Sequence, residues 1–183
     1  MRLTSLKSRL ATVSASALAA SARFAANGSG PPPSGLTATG CVFLDNLIVE
    51  ATPLVAVPEA PEAGITGDYM SKVLDSAGTQ IATVTGGRIH ILGERPSDGH
   101  LMDHAKEDIA LADGTIHAEG VFDLNILMDG GWQGLPLVGT SGRYRGMIGV
   151  EIFQAIELPV RFHEKIIMCS YRDLPTLITQ LLH

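Results

Sequence analysis

The stretch "ALADGTIHAEGVFDLN", residues 110–125, changes character at its "ADG" turn. After the turn, apolar Ile116, Ala118 and Phe122 alternate with polar His117 and Glu119. A period of two residues is typical of a β-strand with one buried side and one solvent-facing side. Asp-Gly sequences favour tight hairpin turns. The stretch therefore predicts a hairpin whose second strand, 115–127, faces the interior through these residues: Ile116, Ala118, Phe122, Leu124 and Ile126.

Similar alternating segments, separated by turn residues, continue through residues 39–170. The candidate strands cover 40–50, 67–75, 79–92, 100–111, 115–127, 132–138, 143–156 and 159–169. Consecutive antiparallel strands with short turns leave two exposed edges unless the sheet closes on itself. We therefore predict an all-β fold, an eight-stranded antiparallel β-barrel. A lumen of this size is filled by side chains or holds one small ligand.

Residues 1–27 have a different pattern, with apolar side chains at steps of three and four, the spacing of one helix face. The stripe consists of Leu3, Leu6, Leu10 and Val13. The segment contains Arg and Ser but no acidic residue. A targeting peptide and an amphipathic helix that docks on the barrel both fit this composition. A Gly/Pro linker, 28–38, follows, and residues 171–183 are expected to form a tail or a short helix.

The charge distribution excludes some partners. The net charge is −6, although the first 44 residues carry four basic groups and no acidic one. The acidic balance argues against nucleic acid, and a cationic segment should be attracted to an anionic body. No apolar run approaches the ~20 residues that span a bilayer. Cys41 and Cys169 predict reduced thiols in a cytoplasmic protein, although barrel closure would make a disulfide between their neighbouring strands geometrically possible.

The glycine-rich stretch "GTSGRYRGMIG", residues 139–149, is consistent at first with a phosphate-binding loop. It lacks the Lys-Ser/Thr ending of a P-loop, and no long amphipathic helix follows it. We therefore predict a hairpin turn at 140–142, followed by a strand in which Gly146 and Gly149 allow bending.

Three stretches together resemble a known family: "GTQIATVTGG" (78–87), "ERPSDGHLMDHAKEDIALADGTIHAEGVFDLN" (94–125) and "WQGLPLVGTSGRYRGMIG" (132–149). They resemble the small barrel cyclases that form spirotetronates and spirotetramates in antibiotic pathways, most of all the pyrroindomycin-type spirotetramate cyclases. The "GTSGRYRG" hairpin is more weakly similar to allene oxide cyclases, which have a calycin-like barrel. The strong resemblance covers roughly 67–156.

This resemblance implies a Diels–Alderase that joins a diene and an alkene of one polyene tetramate or tetronate by [4+2] cycloaddition. It implies no metal and no organic cofactor. Such chemistry needs a folded substrate in an apolar lumen and a hydrogen bond to the dienophile carbonyl. The spirotetramate type also implies that residues 1–27 form a lid helix over the barrel.

The resemblance places five residues in the pocket lining: Ala105, Leu135, Glu151, Phe153 and Ala155. Relatives carry larger side chains at several of these positions, so we expect a roomier pocket. Glu151 stands where relatives carry an arginine. A carboxyl group there can accept from a tetramate N–H or, when protonated, donate a hydrogen bond, which favours a tetramate.

Strand parity adds Gln133, which shares a face with Leu135 and is predicted to donate to the tetramate carbonyl. Gln133 and Glu151 are the two predicted catalytic residues. The remaining predicted substrate-binding residues are Asp103, which shares its face with Glu107, Phe122, Phe162 and the lid residues Leu3, Leu6, Leu10 and Val13.

Some placements stay open in the sequence. Either Asp45 or Glu50 is a candidate lumen group on the first strand. Strand 143–156 points either Glu151 or its more apolar alternate face, which begins at Ile148, into the lumen. His100 and His104 share a strand face, but without an evident third ligand they predict no metal site.

Two rival functions fit the same barrel. One is a lipocalin-like carrier of an apolar ligand, and the other is an allene-oxide-cyclase-like enzyme acting on a fatty epoxide. An outward apolar face on strand 143–156 would need cover from a dimer partner or from the leucine-striped helix, and a homodimer is expected.

Overall fold

The computed structural model of the protein describes residues 40–56 and 60–173. These form a closed barrel in which each strand pairs antiparallel with the next and the last pairs with the first. The strands are β1 Cys41–Pro53, β2 Thr66–Leu74, β3 Gln80–Glu94, β4 Leu101–Leu111, β5 Gly114–Asp123, β6 Gln133–Gly139, β7 Met147–Glu157 and β8 Arg161–Ser170. The predicted eight-stranded all-β barrel is confirmed.

The predicted fifth strand is too long. β5 ends at Asp123, and a short helix, α1 (Leu124–Met128), follows it. Asp123 begins this helix by accepting a hydrogen bond from the backbone N–H of Ile126 at 3.0 Å. Leu124 and Ile126 therefore lie on a helix and not on the inward side of a strand. The local N-cap overrides the alternation that the sequence continues beyond Asp123.

The hairpin between β6 and β7 also begins later than predicted. A 3₁₀ turn at Gly142–Tyr144 separates the two strands, so β7 begins at Met147 and not at residue 143. Gly142 has a φ of 58°, and a Cβ there would lie 2.0 Å from the carbonyl oxygen of Asp113. Arg143 pairs with Asp113 at 2.9 Å, on the outside of the barrel. The turn is thus fastened to the β4–β5 turn beside it.

Two ends of the barrel differ in how they are filled. The end near the β4–β5 turn, here called the packed end, is closed by fully buried apolar side chains. They are Val73, Val84, Ile109, Ile116, Leu137, Tyr144 and Met168. The opposite end, here called the mouth, is where β1, β3, β5 and β7 finish. The chain enters β1 at the packed end, away from the mouth.

A disulfide between Cys41 and Cys169 corrects the prediction of reduced thiols. Closure of the barrel makes β1 and β8 direct neighbours, and their register sets Cys41 opposite Cys169. Both side chains point outward, so the bond lies on the outer face of the barrel wall and not in the lumen. It links the first and last strands covalently.

The predictions for residues 1–38 and 174–183 lie outside the described residues. Within the described part of the chain, no helix has the length and apolar character needed to cross a membrane.

We predict that reduction of the Cys41–Cys169 bond lowers the free energy of unfolding. The bond closes a segment with a sequence separation of 128 residues, and loss of a native disulfide typically costs about 2–4 kcal/mol. Urea unfolding with and without reductant measures the effect. The double variant Cys41→Ser/Cys169→Ser serves as control, because reductant should not change its midpoint. An equal midpoint for oxidised and reduced wild type would contradict the prediction.

Candidate functional site

A cavity of about 190 Å³ lies between the mouth and the packed end of the barrel. Its inner wall comes from inward-facing residues of β1, β2, β3, β4, β6, β7 and β8, with Phe122 of β5. At the mouth it reaches exposed Val55 and Leu158. The cavity is thus open towards solvent at one end and closed by packed side chains at the other.

Most of the wall is apolar. Phe122 and Phe153 pack edge to face across the lumen, with ring centroids 5.3 Å apart and planes at 88°. Leu124 and Leu127 of α1 also line the cavity. The predicted residues Ala105, Leu135 and Phe162 do so as well, whereas Ala155 packs against the core without appearing in the cavity wall. This surface suits a hydrocarbon chain.

Four carboxyl groups, here called the lumen acids, interrupt the apolar wall: Asp103, Glu107, Glu151 and Glu164. All four are buried. Asp103 accepts from the backbone N–H of His90 at 3.0 Å. Glu107 accepts from the hydroxyl of Tyr69 at 2.6 Å. Glu151 Oε2 and Glu164 Oε1 have no hydrogen-bond partner.

Burial controls the protonation of these groups, since a charged carboxylate is poorly stabilised away from water. Burial raises the pKa of Asp103 to about 6. Burial, together with repulsion from Glu107 and Glu164, raises the pKa of Glu151 well above its usual range. The pKa of Glu164 is raised by burial and by Glu107. Glu151 and Glu164 therefore hold their protons to higher pH than an exposed glutamate.

The orientation of β7 was open in the sequence, and the structure decides it. Glu151 and Phe153 face the lumen, opposite Leu135 and Gln133 of β6 in register. The alternate face of β7 points outward. Together with neighbouring strands it forms a second apolar cluster, which contains Ile148, Val150, Ile152, Ile167, Cys169, Cys41, Phe43 and Trp132.

Gln133 is buried, but it does not belong to the cavity wall. Its side-chain oxygen accepts from the backbone N–H of Asp123 at 2.9 Å, and its amide group donates to the carbonyl of Trp132 at 2.8 Å. The amide thus links the end of β5 to the backbone directly before β6. This geometry supports a structural role for Gln133.

Asp45 and Glu50 both lie outside the lumen, which corrects the expectation that one of them faces it. Asp45 sits at a bulge in β1 and pairs with Lys165 at 2.9 Å on the outer wall. Glu50 is exposed. The bulge between Leu44 and Leu47 shifts the strand register, so alternation counted through it misplaces these side chains.

His100, in the connection between β3 and β4, and His104, on β4, make separate contacts. His100 pairs with Asp123 at 2.8 Å, and His104 pairs with Glu119 at 3.3 Å on the outside of the barrel. In residues 40–56 and 60–173, no group of three or more His, Cys, Asp or Glu side chains is arranged to hold a metal ion.

Sequence reasoning missed several polar groups of the cavity wall. Glu164 shares its strand face with Phe162 and Ile166, so its inward position was available from strand parity. Tyr69 and Ser71 lie on the inward side of β2, and the hydroxyl of Ser71 is buried without a partner. For β2 the sequence shows no clear alternation, so nothing marked these two residues.

Comparisons with known proteins agree with this geometry. The allene oxide cyclase barrel-like domain model matches residues 47–168. One similar structure is a nonspecific haem-binding cyclase that catalyses [4+2] cycloaddition in neoabyssomicin biosynthesis, at 32% identity and a TM-score of 0.64. This match covers 71% of this chain and 66% of that one.

Two further structures are similar over most of the barrel. The Diels–Alderase AbmU from Streptomyces koyangensis is 30% identical, with a TM-score of 0.64, over 77% of this chain and 72% of its own. AbnU, an exo-specific intermolecular Diels–Alderase, is 30% identical with a TM-score of 0.62. Its match covers 70% of this chain and 96% of AbnU.

The lumen acids predict that the free energy of unfolding falls as the pH rises. At these groups the folded protein binds protons more tightly than the unfolded chain, so ionisation favours unfolding. For Asp103 the free energy of unfolding falls between pH 3.8, the ordinary pKa of the group, and about pH 6, its pKa in the folded protein. At about 1.4 kcal/mol per tenfold change in proton affinity, this one group contributes on the order of 3 kcal/mol. For Glu151 and Glu164 the loss begins near 4.5 and extends to higher pH.

Urea unfolding between about pH 4.5 and 8 tests this dependence. The variants Glu151→Gln and Glu164→Gln should each flatten the decline. Glu157→Gln, which changes an exposed residue of β7, is the matched control and should leave the decline unchanged. A wild-type protein whose stability rises over this pH range would contradict the prediction.

Proposed function

The chain belongs to the allene oxide cyclase barrel-like family, and we propose that it is a cofactor-independent [4+2] cyclase that closes a spiro ring in polyketide antibiotic biosynthesis. Three similar structures at 30–32% identity belong to cyclases or Diels–Alderases, which supports an enzyme of this class. The observation that carries the proposal for this chain is its apolar cavity, closed at one end, with the partnerless carboxyl group of Glu151 in its wall.

A cavity of this shape can catalyse a cycloaddition by restricting the substrate. In an intramolecular [4+2] reaction two carbon–carbon σ bonds form as three π bonds rearrange, and no proton has to leave or enter. Holding diene and dienophile in contact supplies up to about 7–11 kcal/mol in favourable intramolecular systems. The packed end stops the chain from extending, and Phe122 and Phe153 present flat apolar surfaces beside it. At about 190 Å³ the cavity holds the reacting part, while the rest of a long substrate lies at the mouth.

Glu151 is the proposed hydrogen-bond donor to the dienophile carbonyl. Its raised pKa keeps the carboxyl group protonated, and a neutral acid can donate where a carboxylate only accepts. Withdrawing electron density from the carbonyl lowers the barrier to cycloaddition. The hydroxyl of Ser71, also buried and without a partner, is a second donor in the same wall.

We propose a tetramate as the ring that becomes spiro-fused. A tetramate carries a ring N–H where a tetronate carries an oxygen. The N–H can donate to a carboxyl oxygen of the wall, whereas a ring oxygen facing the same carboxyl oxygen gains nothing. The lumen acids thus favour the tetramate, in line with the presence of Glu151 where similar cyclases carry arginine.

We also propose that residues 1–27 form a helix that closes the mouth. Exposed apolar side chains, Leu54, Val55, Ile156 and Leu158, surround the mouth and offer it a surface. The helix would have to reach them from the packed end, where the chain enters β1. A barrel with a 13-residue strand tilted by about 40° is roughly 33 Å high. The linker 28–38 spans at most about 40 Å, so it is long enough to let the helix reach the mouth.

The homodimer that the sequence predicts remains a prediction.

Incubation with a linear polyene tetramate tests the cyclase. The expected product has the mass of the substrate and a new cyclohexene ring, visible by a shifted retention time and by NMR. Binding without such a product would instead support the lipocalin-like carrier. Turnover of a fatty epoxide would support an allene-oxide-cyclase-like enzyme.

We predict that Glu151→Leu lowers kcat/KM by about 10- to 100-fold, because it removes the donor. The loss should be smaller than the ~10²–10³-fold loss of rate that follows removal of a hydrogen-bond donor to a full oxyanion, because less charge develops in a cycloaddition. Glu151→Gln keeps an N–H donor and should retain more activity than Glu151→Leu. Glu157→Leu, which changes an exposed residue at the end of β7, is the matched control. Equal activity of all three variants would show that Glu151 takes no part.

Deletion of residues 1–24 tests the lid. We expect kcat/KM to fall at least ~10-fold, because the open mouth admits water and releases the folded substrate. The urea midpoint of the barrel should stay unchanged. Replacing the stripe Leu3, Leu6, Leu10 and Val13 by Ser should reproduce the loss, whereas Ala at Arg2, Arg9, Thr12 and Ser16 should not. Unchanged turnover after deletion would eliminate the lid.

A further inference from the structure

The described wall of the cavity carries acidic groups without any basic counterpart. Five carboxyl side chains line it, the four lumen acids and Asp68, and among the described lining residues there is no Lys, Arg or His. Asp68 lies at the mouth and is neutralised by Arg88 at 2.6 Å. Among the described residues of the cavity wall, no cation balances the four lumen acids.

Three of the lumen acids lie beside the packed core. Glu107 is two residues from Ile109, Glu164 is two residues from Ile166, and Glu151 pairs in register with Ile166; both isoleucines are fully buried. Glu164 itself is 2% exposed, and its Oε1 has no partner although the residue lines the cavity. Glu107 has one partner, the hydroxyl of Tyr69. The otherwise apolar cavity wall therefore contains carboxyl oxygens, on Glu151 and Glu164, that no hydrogen bond satisfies.

A buried carboxyl group without a partner destabilises a fold, so its presence in a cavity indicates a ligand group that satisfies it. An ammonium group would relieve the repulsion among the acids and donate a hydrogen bond to the partnerless oxygen of Glu164. An anion would face Asp103 and the glutamates with no positive group nearby. An uncharged ligand would leave the repulsion among the ionised forms of these glutamates unrelieved.

We propose that the substrate of this protein carries a basic nitrogen, and that this nitrogen binds as an ammonium group between Glu107 and Glu164. The inference rests on the proposed function, because it names a chemical feature of the molecule that is cyclised. The hydrocarbon part then extends from the ammonium group past Phe122 and Phe153 to the mouth.

The three glutamates take separate roles in this arrangement. Burial raises the pKa of Glu107, but the hydrogen bond from the hydroxyl of Tyr69 opposes this shift by favouring the ionised form, so we assign the first charge to Glu107. Glu164 ionises when the ammonium group arrives. Glu151 is repelled by both and keeps its proton, which leaves it free to donate to the carbonyl. The donor thus lies close to the cation site, since Glu151 pairs in register with Ile166, two residues from Glu164.

Unreactive probes of one length separate charge from shape: octan-1-amine, octan-1-ol and octanoate. Calorimetric titration of the full-length protein at neutral pH should give a dissociation constant for the amine at least ~10-fold below that for the alcohol. Octanoate should bind more weakly than the alcohol. Octanoate binding as tightly as the amine would overturn the proposal, because it would mean that protonated lumen acids serve as anion donors.

Variants locate the site. Glu164→Gln keeps the shape and removes the charge, so the amine-to-alcohol ratio should fall to about 3-fold or less while the alcohol binds as before. Glu107→Gln should act in the same direction and provides a second variant. Glu157→Gln is the control and should keep the full ratio. An unchanged ratio in Glu164→Gln and Glu107→Gln would overturn the assignment.

Failure of the two proposals gives different results. An amine preference that depends on Glu164, in a protein that cyclises no polyene tetramate, would leave the cation site standing and remove the cyclase. Cyclisation of uncharged polyene tetramates, with no amine preference in the probes, would leave the cyclase standing and remove the cation site.

Discussion

The structure depends on the pairing of β1 with β8. Without that pair, the sheet would have two open edges and no enclosed space. With it, every strand has two neighbours, and each inward side chain faces a common lumen. The lumen acids, the aromatic pair and the packed end are brought together only by this closure. The disulfide between Cys41 and Cys169 strengthens the same seam.

Much of the fold could be predicted from the sequence, because hydrophobic alternation and turn residues are local signals. These signals misplaced a strand boundary where a local interaction overrode them. The cap formed by Asp123 converts the end of the predicted fifth strand into α1. Packing of Gly142 against Asp113 delays the start of β7. The disulfide was missed for another reason. The expectation of reduced thiols rested on the predicted cytoplasmic location and not on the geometry of the neighbouring strands.

The site could be predicted only in part, since parity tells which face a residue takes but not what its polar atoms contact. Gln133 takes the inward parity expected of it, and Glu151 takes the inward one of the two orientations that the sequence left open. Glu151 has a free oxygen in the cavity, whereas backbone groups occupy both ends of Gln133. Hydrogen bonds between strands far apart in sequence decide that difference. Glu164 was overlooked because a charged residue within an apolar face contradicts the usual pattern of a barrel strand.

The position of the first and last residues of the barrel has a consequence for protein engineering. Residues 40 and 170 lie side by side at the packed end, where Ser170 donates to the carbonyl of Gly40. The barrel is therefore close to a covalent ring, in which the order of strands does not depend on where the chain is cut. Joining these two positions and opening the chain at an exposed turn would give a circular permutant. Partners fused at either position would project away from the mouth and leave it accessible.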